Sequence, residues 1–65
     1  MITAKDIKVG VEFTIGKTEF KVAKITYDAE LKMTLVTVMM GNAPFRDAMP
    51  FLVEYLNKEK AEIKR

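Results

Sequence analysis

Cysteine, histidine and serine are all missing from these 65 residues. Without cysteine there is no disulfide to staple a small fold and no thiolate to hold a metal. Without histidine the usual zinc, copper and nickel sites are out of reach. Nucleophilic triads and imidazole-held, metal-activated water go with them. Arginine occurs only as Arg46 and Arg65, and glycine only three times, with no phosphate-cradling loop among them. Long apolar runs are lacking too. The longest charge-free stretch, Met33 to Phe45, is interrupted by Gly41, Asn42 and Pro44. It falls short of the roughly 20 residues that cross a bilayer. The opening MITAKDIK carries charges by position 5 and no following apolar run, so it does not read as a signal peptide. These absences predict a soluble, cytoplasmic protein that is not an enzyme and that takes no cofactor and no metal.

What is present is the composition of a globular domain, 49% hydrophobic and 31% charged. A chain of this length makes one domain and buries only about 60% of its unfolded surface, so its stability is marginal. Packing alone, or packing plus self-association, must hold it together. The net charge of +2 is too small to imply nucleic acid by itself. The acids stand mostly beside lysines: Glu19 near Lys17 and Lys21, Glu30 near Lys32, Glu59 between Lys58 and Lys60. That is the pattern of a solvated surface rather than of a catalytic carboxylate pair.

Thr3 to Asp6 fits a capping box, flanked by Ile2 and Ile7 at the spacing of a hydrophobic staple. It predicts a single helical turn. Val9 to Ile15 then alternates, and Gly16-Lys17 suits a two-residue hairpin loop. That loop fixes a register pairing Ile15 with Thr18, Phe13 with Phe20, Glu12 with Lys21 and Val11 with Val22. The next strand, Glu19 to Tyr27, changes its apolar face midway. Either a bulge near Ala23-Lys24 restores one face, or the strand is long and twisted and buried on different sides at its two ends.

Asp6-Ile7-Lys8-Val9-Gly10, Phe13, Gly16-Lys17 and Phe20-Lys21-Val22 together resemble the opening hairpin of SH3-like barrels of the KOW type, such as the N-terminal domain of elongation factor P. The resemblance covers roughly the first 25 residues and implies a curled, strongly twisted sheet. It carries over no functional residue. The basic, glycine-rich loop that serves elongation factor P has no counterpart at residues 28–32, and the chain turns toward a helix near Asp47.

Residues 33–40 read as a central strand with two apolar faces. Met33, Leu35 and Met39 point one way, and Val36, Val38 and Met40 the other. A five-residue loop over 28–32 predicts Tyr27 opposite Met33, Ile25 opposite Leu35 and Val22 opposite Val38. Gly41 to Pro44 ends the strand, Asp47 is the expected N-cap and Pro50 falls in the first helical turn. Met49, Leu52, Val53 and Leu56 recur at helical spacing to about Lys58, with Phe51 and Tyr55 at the margin. The tail is either a frayed helical extension or a short fourth strand over 61–64 with Ile63 inward; the strand is preferred.

The predicted fold is therefore α+β: a three-stranded, twisted antiparallel meander with one C-terminal helix packed on one face. The helix covers Val11, Phe13, Phe20, Val22, Val38 and Met40. The second face presents Ile25, Tyr27, Met33, Leu35 and Met39. It is either closed by Ile2, Ile7 and Ile63 or buried against a protein partner or a second copy of the chain. The alternative is a nucleic-acid binder using Lys17, Lys21, Lys24, Lys64 and Arg65, with Tyr27 stacking on single strands. Against it, these lysines also serve to solubilise the chain and blunt its strand edges.

Overall fold

The computed structural model describes residues 1–64. A 3-10 turn over Ala4–Asp6 leads into β1 (Glu12–Ile15), β2 (Thr18–Asp28), β3 (Met33–Met40) and β4 (Ala43–Ala48). Helix α1 (Met49–Lys58) follows, and β5 (Glu62–Lys64) closes the order. The strands form one antiparallel sheet in the order β4-β3-β2-β1-β5. The class is α+β, as expected, but the sheet has five strands rather than three.

Local chemistry accounts for the first half. The Thr3 N–H donates to the Asp6 carboxylate at 2.9 Å, which closes the capping box. Ile2 and Ile7 on either side are both buried. Gly16 takes φ +60°, which a two-residue hairpin loop needs at its first position. The β1–β2 register follows: Ile15 with Thr18, Phe13 with Phe20, Glu12 with Lys21. Val11 and Val22 meet through a 2.9 Å backbone bond, Val22 N–H to Val11 O.

The β2–β3 pairing departs from expectation at one point. Val22 lies opposite Val38, as predicted, but the register then shifts at Ala23, so that Lys24 meets Thr37 and Ile25 meets Val36. This is a bulge at Ala23. The loop is also one residue shorter, because Asp28 pairs with Met33 and its carboxylate accepts the N–H groups of Glu30 and Leu31. Tyr27 therefore faces Thr34, not Met33. One extra residue in β2 returns Ile25 to the face of Val22, and it packs against the core.

Strand β4 lies beyond the three strands that the sequence pattern predicts. Gly41 at φ +63° and Asn42 make a second tight loop, and Ala43 to Ala48 run back along β3. Pro44 does not end the sheet because β4 is its edge, where a missing N–H costs nothing if it points outward. Asp47 is not the helix N-cap. It belongs to β4, and its carboxylate accepts the neighbouring Ala48 N–H at 2.8 Å. Ala48 occupies the cap with no side-chain bond, and Pro50 sits in the first turn.

Helix α1 places Leu52 and Leu56 on the sheet, against Phe13, Phe20, Val22, Val36 and Val38. Its C-terminus closes with Ala61 N–H to Leu56 O and Lys60 N–H to Asn57 O, with Lys60 at φ +56°. This is a Schellman motif built on lysine. It turns the chain into β5, which pairs Ile63 with Phe13. Ile2, Ile7 and Ile63 all join the core on the helix side. The described molecule measures 36 × 26 × 17 Å, a thickness of one sheet and one helix. The second sheet face has no covering layer among the described residues.

Candidate functional site

The predicted interface residues do not share one face. Ile25 is in the core, and Tyr27 is exposed opposite Thr34. Met33 borders an open cleft of about 590 Å³ between the 3-10 turn, the N-terminus of α1 and the β2–β3 loop. Leu35 and Met39 remain together on the uncovered face, both half-buried. Cross-strand pairing surrounds them: Met39 lies between Lys21 and Pro44, Thr37 between Lys24 and Arg46, and Leu35 between Thr26 and Ala48. The apolar part of this face is one strand wide. The aliphatic stems of Lys21, Lys24 and Arg46 lie alongside it and can shelter it while their charged ends stay in water.

The predicted basic residues are likewise dispersed. Lys17 is at the β1–β2 loop, and Lys21 and Lys24 are on the uncovered face. Lys64 binds the Glu19 carboxylate at 2.6 Å. That hydrogen bond first, then the charges of Glu19 and Glu12, hold the Lys64 pKa above its ordinary value of 10.5. Arg65 lies outside the described residues. Among the described residues no group of three acids could hold a metal, and no helix is long and apolar enough to cross a membrane.

A second surface escaped the sequence reading. Asn57 faces Ile2, to which it is hydrogen-bonded. Tyr55, two positions earlier, is about 200° round the helix and so on the opposite flank, and Phe51 lies one turn before it. That flank overlooks the side of the sheet that ends in β4. Phe45, opposite Val38, and Met40, two residues beyond Val38, share the helix side there. All four are exposed: Met40 by 41%, Phe45 by 45%, Phe51 by 58% and Tyr55 by 45%. The signal was available. Phe51 and Tyr55 are four apart and each one position before a core leucine, so they cannot point where Leu52 and Leu56 point.

The free edge beside this flank is blunted. Pro44 has no N–H, and four residues on, Ala48 gives its N–H to Asp47. Of the positions aligned with them, only Arg46 keeps an open backbone donor. The opposite edge, β5, is three residues long.

No family model, curated protein or solved structure matches the chain.

Proposed function

We propose that this chain is a non-enzymatic protein-interaction module that self-associates through the aromatic flank of α1. The observation that carries the reading is the exposure of Met40, Phe45, Phe51 and Tyr55 on one side of a molecule with a small interior. The flank is continuous with the core, since Phe45 pairs with Val38 and Tyr55 precedes Leu56. A second copy seated there would enlarge the interior that a 65-residue chain has difficulty supplying. Association by strand addition is disfavoured by Pro44 and Asp47, which leaves side-chain contact. The sheet suits an opened SH3-like arrangement: β2 is long and carries a bulge, and β1 pairs with both β2 and β5.

Magnitudes set the affinity. Each exposed aromatic leaves on the order of 100 Å² to be buried, so two copies would remove about 600 Å². At about 25 cal/mol/Å² this is about 15 kcal/mol gross, against an association cost of about 4 to 15 kcal/mol. The dimer should therefore be weak and concentration-dependent. Sedimentation at increasing concentration tests it. The expected result is a monomer–dimer equilibrium that shifts to monomer in Phe51→Ser and Phe45→Thr, with circular dichroism unchanged. A chain that stays monomeric at millimolar concentration would sink the reading.

A further inference from the structure

The uncovered face of β2, β3 and β4 carries a charge pattern that self-association on the aromatic flank does not use. Lys24, Thr37 and Arg46 form one cross-strand row, and Lys21, Met39 and Pro44 the next. Adjacent strands are about 4.8 Å apart, so Lys24 and Arg46 stand about 10 Å from each other across Thr37. Neither is in an ion pair among the described residues, where Lys64–Glu19 is the one formed. The acids on this face are elsewhere or engaged. Glu12 faces Lys21 across β1–β2, Glu62 is on β5, Glu19 holds Lys64, and the Asp28 carboxylate caps the β2–β3 loop. On β3 and β4, the one acid is Asp47, which is opposite Val36 on the helix side. A ridge of Leu35, Thr37 and Met39 thus runs past Lys24 and Arg46, which have no acid opposite them in the β2–β3–β4 ladder, while Lys21 at its end faces Glu12.

We propose that this face binds an acidic, extended peptide segment carrying aliphatic side chains. The acids would meet Lys24 and Arg46, and the aliphatic groups would rest on Leu35 and Met39. Charge complementarity selects an anionic partner and sets its orientation. The character of the ridge selects peptide over nucleic acid. Single strands are held by stacking on aromatic side chains, and the strand aromatics Phe13, Phe20, Tyr27 and Phe45 all fall on the helix side by register.

Fluorescence anisotropy with a short labelled Asp-Glu-Leu repeat peptide tests this. Two controls accompany it: the same peptide with serine for leucine, and an oligothymidylate. The expected result is salt-sensitive binding of the leucine peptide, weakened about tenfold by Lys24→Glu or Arg46→Glu, in line with the loss of a close charge pair. Lys17→Glu changes the net charge equally but lies off the face, so it should leave binding nearly intact. Phe51→Ser should bind as the parent does, which separates this site from the aromatic flank. The proposal fails if the peptide does not bind at low salt, or if the serine peptide binds equally well. It also fails if the oligonucleotide binds more tightly, or if Lys17→Glu is as damaging as Lys24→Glu.

Discussion

Asn57 and Ile2, 55 positions apart, exchange two hydrogen bonds: the Asn57 amide oxygen accepts the Ile2 N–H at 2.8 Å, and its amide nitrogen donates to the Ile2 carbonyl at 2.8 Å. One side chain thereby satisfies both backbone groups of a residue whose own side chain is buried in the core. Apart from the buried side chains of Ile2 and Ile7, the N-terminal segment has little else to fix it, since the 3-10 turn itself has no buried residue. Asn57→Leu removes both bonds and leaves a partly buried N–H and C=O without partners. The expected loss is about 2 kcal/mol, read as a lower urea midpoint. Combining it with Ile2→Ala should cost less than the sum of the two, because both changes release the same segment.

Lys60 holds φ +56° at the position after the helix C-cap. A residue with a Cβ is strained there by about 1 kcal/mol, and glycine is not. Lys60→Gly should raise stability by about 0.5 kcal/mol, once the greater freedom of glycine in the unfolded chain is subtracted. The melting temperature should rise by a few degrees. An unchanged or lower value would mean that the Lys60 side chain contributes a contact that outweighs the strain.

Pro44 and Asp47 guard the β4 edge by different means, one lacking a donor and the other occupying its neighbour's. Replacing both, as Pro44→Thr with Asp47→Ala, restores a row of open N–H groups on an exposed strand. Faster thioflavin-positive aggregation is expected, with little change in the far-ultraviolet spectrum before aggregation begins. If the double variant is as soluble as the parent, the edge is protected by something other than these two residues.

The Lys64–Glu19 pair fastens β5 to the sheet from its outer face. Its folded-state pKa is raised, so its contribution is complete below 10.5 and is lost as pH climbs through the higher folded value. Stability should therefore fall on the alkaline side, and Lys64→Met should flatten that part of the curve. Both groups are solvent-exposed, so 0.5 M salt should shrink the difference between parent and variant.

The parts of this fold set by neighbouring residues were legible in the sequence, and the parts set by sheet position were not. Gly16-Lys17 with Phe13, Phe20, Glu12 and Lys21 determined the first hairpin, because a two-residue loop allows one register. The helix end at Lys58 and the inward Ile63 were also readable from spacing. β4 was not, because Pro44 stops an inner strand but is harmless on an outward edge position, and nothing local says which strand will be the edge. Asp47 read as a cap because aspartate favours caps, yet its carboxylate serves equally well one residue on, within a strand. The second face was read as five apolar residues wide in composition. It is narrower because a single bulge moved Ile25 and Tyr27 to the other side.

That bulge makes the strongest prediction about the fold. Ala23 is exposed, so its side chain adds little to the packing. As a backbone unit it sets the parity of the rest of β2. Ala23→Ser keeps the count and should be nearly neutral. Deleting Ala23 keeps every core residue but shifts the pleat, sending Lys24 and Thr26 toward α1 and Ile25 toward water. A buried lysine without a partner and the loss of Ile25 from the core together exceed the stability that a domain of this size commands, which is of the order of 5 kcal/mol. The deletion variant should be unfolded by circular dichroism and amide dispersion. A folded deletion variant would mean that β2 can re-register against β3 at little cost, and then the assignment of Leu35, Thr37 and Met39 to an uncovered ridge would lose its foundation.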